Sequence, residues 1–246
     1  MSDTTTTSAP EAGPRAESGE RDVPARPFVH VLALKLDPAW RRLSEERKAE
    51  ERSAFLEAHR EASERVTTYT YSMVGTRADA SLLYWRLGET FEDVEETAAR
   101  LLRSGMGRWL DIGYVMTGLV RPSSYVKERT PQEEAMFTGE RSRYIIVYPF
   151  VKTTEWYLLP DEERRLQMAE HIRVGRKYPA IAQLLAYSFG VDDQEFIVAY
   201  ETESLQEFQD LVRDLRATEG RRATVRDTPQ LVGVHRPLEE IVEMIG

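Results

Sequence analysis

Two similar β-α-β-β-α-β units, together an α+β fold of antiparallel sheets with helices on the outside, are predicted by three features of the sequence. First, short β-branched and aromatic runs alternate with amphipathic stretches in that order, twice along the chain. Second, TYSMVGTRADASLLYWRLGETFEDV in the first half matches AYSFGVDDQEFIVAYETESLQEF in the second. Both read as a Tyr-Ser-hydrophobe-Gly strand end, an acid-containing turn, a strand and an acidic helix start, the mark of an internal duplication. Third, a polar, charged, proline-containing stretch from Arg121 to Ser142 separates the halves as a crossing linker. Each half on its own has the order of the ferredoxin-like unit.

Taken in order, residues 1–26 are Thr, Ser, Ala, Pro, Gly and charge with almost nothing to bury, so they are expected to form a disordered tail. Residues 27–122 make the N-terminal unit. Phe28–Leu36 is its first strand, and Asp37 and Pro38 open a helix expected to run through Trp40, Leu43 and Phe55 to His59 or beyond. Val66–Gly75 and Ser81–Leu87 are strands. Phe91–Leu102 is a helix ended by Gly105 and Gly107, and Trp109–Val120 is the fourth strand. Residues 123–142 form the linker, and at about 20 residues such a connection is long enough to suggest a functional loop.

Residues 143–246 make the C-terminal unit. Tyr144–Val151 is a strand too apolar for either face to meet water. Pro160 opens a helix with Asp161, Glu162 and Glu163 at the positive end of its dipole. Arg173, Arg176 and Lys177 crowd its last turn, and Pro179 stops it. Ala182–Phe189 and Glu195–Thr202 are strands, Leu205–Leu215 a helix, Thr224–His235 a last strand, and a short helix from Pro237 closes the chain.

Composition narrows the function. The chain has 246 residues, ample for a core, with 41% hydrophobic and 30% charged residues, ordinary for a globular protein. A net charge of −9 with no basic block argues against a nucleic-acid or anionic-membrane surface. No apolar run approaches the roughly 18 residues of a membrane span. Without cysteine there are no disulfides, thiolate metal sites or cysteine nucleophiles, which fits a reducing cytoplasm. No hydrophobic signal core follows Met1, so a cytoplasmic location is expected.

Candidate chemistry concentrates between Arg143 and Pro179. Tyr144, Ile146, Tyr148, Phe150 and Lys152 share one strand face, which puts the Tyr148 phenol and the Lys152 ammonium about 13 Å apart along the strand. On the following helix Met168, His171, Ile172 and Gly175 form one stripe. An imidazole on an apolar stripe beside a glycine is a place where a flat cofactor could lie against backbone. His171 is one of only four histidines; neutral imidazole is a common axial ligand of haem iron, and the plainer alternative is a helix histidine that only packs. Tyr148 could equally be a core tyrosine with a hydrogen-bond partner, and Lys152 a solvated strand-end lysine. His59, in HREASER, reads as part of a solvated helix end, while His30 and His235 fall in strands.

The run YPFVKTTEWYLLPDEERR, followed by EHIRVGRKYP, AYSFGVDDQEFIVAYET and DLRATEGRR, resembles the chlorite dismutase-like haem protein family, and most of all its coproheme decarboxylase branch. The resemblance extends over nearly all of the chain past the N-terminal tail. It implies a ferredoxin-like repeat fold of the dimeric α/β barrel type and an assembly of five copies. It implies a peroxide-dependent oxidative decarboxylation of iron-coproporphyrin III (coprohaem) to haem b in haem biosynthesis, the porphyrin being both cofactor and substrate. In that resemblance His171 is the proximal iron ligand and Tyr148 the catalytic phenol that relays oxidation to a propionate. Lys152 and Arg216 hold propionates, as an ammonium and a guanidinium are suited to do, with Arg221 and Arg222 as neighbouring candidates. Trp156 and Tyr157 are pocket walls.

Two departures from the family pattern matter. Chlorite dismutases carry a distal arginine thirteen residues after the haem histidine; here that position is Leu184, preceded by Gln183, which counts against chlorite dismutation. Some decarboxylases use a distal histidine in the loop corresponding to Tyr125–Pro131; this loop has none, and Arg129 is a poor substitute base. The alternatives are a haem-binding relative without decarboxylase activity, such as a sensor or weak peroxidase, and a non-haem assembly protein of the same fold.

Overall fold

The computed structural model describes residues 27–121 and 130–246. The expected tail, residues 1–26, lies outside the described residues, as do residues 122–129 at the start of the connection, including Arg129.

The N-terminal half contributes β1 (Phe28–Leu36), α1 (Glu45–Ser63), β2 (Thr67–Ser72), β3 (Leu82–Gly88), α2 (Phe91–Arg103) and β4 (Leu110–Val120). The helix expected from Asp37 is two pieces. A 3-10 turn over Pro38–Arg42 ends at Leu43, whose backbone is extended, and Ser44 starts α1 by accepting from the Arg47 N–H. A serine that can satisfy an orphan N–H makes the restart favourable. His59, expected in solvent, is half-buried in α1, its ring 5.8 Å from that of Tyr84. Gly105 has φ +50°, and a Cβ there would lie 2.2 Å from the Glu51 carbonyl oxygen, so only glycine permits this close approach of the chain to α1.

The connection holds a short helical turn, α3 (Pro131–Glu134), started by a capping box between Thr130 and Glu133. The C-terminal half contributes β5 (Tyr144–Lys152), α4 (Thr154–Leu158), α5 (Asp161–Gly175), β6 (Ala182–Tyr187), β7 (Phe196–Thr202), α6 (Leu205–Arg216), β8 (Thr224–Arg226), β9 (Leu231–His235) and α7 (Leu238–Ile245). The stretch carrying Trp156 and Tyr157 is therefore helical, capped by Thr153. The last strand expected over Thr224–His235 is interrupted between Arg226 and Leu231, and Asp227 sits in the gap.

Within each half the strands take the same order. In the first it is β4-β1-β3-β2, and in the second β9-β5-β7-β6, which is 4-1-3-2 in both, all antiparallel. The duplication read from the sequence is thus a duplication of topology. The two sheets do not merely lie side by side. Two residue pairs join β2 to β9 and two join β4 to β6, so eight strands close into one ring, with β8 attached outside it at the end of β5. Closure removes the unpaired edges that two separate sheets would expose.

Strand alternation then divides the core in two. Val29, Val31, Trp85, Met116, Ile145, Val147, Leu184 and Ile197 point into the ring and pack together. Met136 of the connection plugs the same cluster, and Arg141 reaches the ring wall to pair with Glu201 at 3.3 Å, both side chains almost fully buried. The opposite residues of each strand point outward, under the helices.

Candidate functional site

The outer faces of the two halves are filled differently. On the N-terminal half Leu32, Leu34, Trp40, Phe55, Leu82, Tyr84, Leu101 and Ile241 pack solidly between the sheet and its helices. On the C-terminal half the corresponding cluster is small: Ile146, Ile181, Tyr200, Phe208 and Leu211. Beside it, between the strands β5, β7 and β6 and the helices α4, α5 and α6, the structure leaves a cavity of about 380 Å³.

All six residues singled out in the sequence line this cavity: Tyr148, Lys152, Trp156, Tyr157, His171 and Arg216. The α5 stripe is intact there, with Met168, His171, Ile172 and Gly175 all on the wall. Gly175 is a true opening, since a Cβ built on it meets nothing within 4 Å. His171 makes no hydrogen bond with any described residue, and burial, assisted by the nearby Lys152 ammonium, lowers its pKa to about 4. Its ring is therefore neutral near pH 7, with a lone pair free to bind a metal.

Tyr148 stacks on Tyr200, ring centroids 6.3 Å apart, at the floor of the cavity. Burial above all, and then the Tyr200 phenol, push the Tyr148 hydroxyl well above its ordinary pKa, so it keeps its hydrogen at neutral pH. Lys152 donates from Nζ to the Gly220 carbonyl oxygen at 3.0 Å and lies 4.9 Å from the Trp156 ring centroid, a cation–π distance. Burial brings its pKa down to about 8. Trp156 is buried and fixed by its Nε1–H, which donates to Gln167 Oε1 at 3.1 Å. Tyr157 packs edge-on against it and donates to Glu195 Oε2 at 2.6 Å; the same oxygen accepts the Lys152 backbone N–H at 2.7 Å.

The cations gather at one corner. Arg216 Nη2 and Arg221 Nη1 both donate to Asp227 Oδ2, at 2.9 and 2.7 Å. Arg222, the other neighbouring candidate, turns away to pair with Glu219 and does not reach the cavity. On β6, Gln183, Leu184 and Leu185 all border the cavity, and Leu184 is the one of the three that also packs in the interior cluster. Glu195 and Asp227 escaped the sequence reading. Strand alternation in AQLLAY, once anchored by a known inward residue, puts Gln183 and Leu185 on one face and Leu184 on the other.

This set fits an iron porphyrin carrying carboxylates. An unpartnered imidazole faces an apolar slot, a glycine leaves room for a flat ring, and an ammonium and two guanidiniums stand at one edge. Among the described residues no three His, Asp or Glu side chains gather as a site for a bare metal ion would need.

The family model for chlorite dismutase matches residues 45–236, which takes in every strand of the ring except β1 and every wall of the cavity. The chain belongs to the chlorite dismutase family. Within it, a coproheme decarboxylase of Mycolicibacterium smegmatis is 37% identical over 174 residues, 70% of this chain and 74% of that one. Among solved structures, the chlorite dismutase of Candidatus Nitrospira defluvii in complex with imidazole superposes with a TM-score of 0.80 at 26% identity, covering 88% of this chain and 94% of that one. A variant of the same enzyme in complex with cyanide gives a TM-score of 0.80 at 26% identity, over 88% and 93%. Membership of the chlorite dismutase family accounts for the ring and its two-fold repetition; what this member does depends on the side chains in the cavity.

Proposed function

We propose that this protein is a coproheme decarboxylase, converting iron-coproporphyrin III to haem b with hydrogen peroxide as oxidant. The observation that carries the reading is the convergence of His171, Tyr148, Lys152 and Arg216 on one cavity of the C-terminal half. Support comes from the relative of that name. His171 would bind the iron, and Lys152, Arg216 and Arg221 would receive the carboxylates. The bound iron porphyrin supplies the redox chemistry with peroxide. Tyr148 Oη would lose its hydrogen atom to the oxidant formed with peroxide and recover one from the propionate carbon nearest the ring, and loss of a second electron and of CO2 from the resulting carbon radical would leave the vinyl group. Overall, each propionic acid side chain and one peroxide give a vinyl group, CO2 and two waters. The stacked Tyr200 ring fixes the Tyr148 ring against the sheet, with the phenol on the cavity wall.

Gln183 rather than an arginine projects from β6 into the cavity, so no guanidinium from that strand stands ready to hold an oxychlorine anion, which argues against chlorite dismutation here. We include self-assembly, as a pentamer, in the same reading. On the outer face of β4, Ile112 (52% exposed) and Val115 (43%) offer an apolar surface for it. No described helix is long and apolar enough to cross a membrane; a cytoplasmic setting belongs to the proposal.

The test is to load the protein with coprohaem, add peroxide stepwise and follow the porphyrin by mass spectrometry. Successive loss of two carboxyl groups is the expected result. A porphyrin that binds but keeps all four carboxyl groups would leave a haem-binding protein without this activity.

A further inference from the structure

We infer that Asp227 is a positioning residue that holds Arg216 and Arg221 together as a receptor for a porphyrin carboxylate. The inference deepens the proposed function and rests on it. Arg216 closes α6, Arg221 lies in the 3-10 turn Glu219–Ala223, and Asp227 stands in the gap between β8 and β9, so three separate segments meet at one carboxylate oxygen. The Asp227 side chain is 17% exposed, against 41% and 35% for the two arginines, so the anion is the inner member and the cations face the opening.

The sign of its effect follows from the geometry. Each arginine spends one N–H on Asp227 and keeps four others, so the carboxylate does not exhaust either donor set. One negative charge between two positive ones leaves a net positive corner that still attracts an anion. Without Asp227, two guanidiniums that now share a single acceptor would repel each other and regain the rotamer freedom of long side chains. A receptor ordered before binding loses less on association than one ordered by its ligand. The corner and the reacting phenol belong to one site, because Tyr148, Arg216, Arg221 and Asp227 all line the same cavity. Lys152 completes it through Gly220, the residue before Arg221. Asp227 thereby helps decide which carboxylate arm rests near Tyr148.

The experiment compares the full-length wild type, Asp227→Asn and Asp227→Glu by titration with iron-coproporphyrin III and with its tetramethyl ester, which has the same ring and no free carboxylate. Asp227→Asn is expected to weaken binding of the acid about tenfold, leave the ester and the Soret position unchanged, and be partly rescued by Asp227→Glu. Tighter binding of the acid to Asp227→Asn would mean that Asp227 competes with substrate, and would overturn the inference. Equal weakening of acid and ester would reduce Asp227 to a structural role and overturn it too. A wild type that binds neither porphyrin would instead bring down the proposed function, and this inference with it.

Discussion

Tyr148 on β5 and Tyr200 on β7 are diagonal neighbours on the outer face of the C-terminal sheet, their rings 6.3 Å apart and inclined by 30°. Phe208 of α6 lies 5.2 Å beyond Tyr200, so the pair is backed by protein on the side away from the cavity. Tyr148→Phe preserves this packing and removes one hydroxyl. The variant should bind coprohaem within about threefold of wild type, since half a kcal/mol or so is at stake, and release no CO2 on addition of peroxide. Normal turnover by Tyr148→Phe, measured by mass spectrometry of the porphyrin, would remove the phenol from the mechanism.

Lys152 predicts a pH dependence of binding. Burial holds its free-state pKa at about 8, and a carboxylate placed against the ammonium would raise it. Above about pH 8 binding must therefore take up a proton, so affinity for the porphyrin acid should fall as pH rises through that value. Lys152→Met should bind more weakly below pH 8 and lose that segment of the pH profile. An unaltered profile in the variant would assign the titration to another group.

Gly175→Leu should separate folding from binding. The position is helical and space beyond it is open, so replacing glycine removes a helix-propensity cost of up to about 1 kcal/mol. The same side chain would occupy the slot beside His171. A melting temperature equal to or above that of wild type, with porphyrin affinity reduced at least tenfold, is the expected pair of results from thermal denaturation and titration.

Arg141 and Glu201 test closure of the ring. Glu201 accepts from both Tyr71 of the first half and Arg141 of the connection, in a buried cluster at the ring wall. Arg141→Met strands the carboxylate and should cost about 3 kcal/mol. Adding Glu201→Leu should recover a large part of that loss in a chemical denaturation series, because a buried pair replaced by apolar groups is often close to neutral. Two independent losses that simply add would show that the pair is not coupled.

Much of this was legible in the chain because it depends on local periodicity. A two-residue period puts Tyr148 and Lys152 on one strand face, and a 3.6-residue period lines up Met168, His171, Ile172 and Gly175. Both groupings hold whatever the strand and helix pack against. The repeated Tyr-Ser-hydrophobe-Gly segment likewise announced two units of one topology, and Pro160 and Pro179 bracketed α5 closely. Element ends were less secure: the break at Leu43 and the gap at Asp227 rest on single turns that weak local preferences do not settle.

By itself, then, the sequence determined the doubled architecture and the faces that carry Tyr148, Lys152 and His171, while Trp156, Tyr157 and Arg216 were implied by the family resemblance. Only the tertiary structure decided which strands join the two sheets into one ring, β2 to β9 and β4 to β6, and that the outer face of the second half is the one left open at the cavity. It also decided which carboxylates hold which cations, since Asp227 reaches Arg216 and Glu195 reaches Tyr157 across gaps that no period spans. Gln183 and Leu184 show the reason most simply. A one-residue difference moves a side chain from one face of a strand to the other. Counting thirteen positions from a helix, through a turn and into β6, carries no information about which face the count ends on, and only packing shows that Leu184 joins the interior cluster while Gln183, on the opposite face, stands with Tyr200 at the cavity.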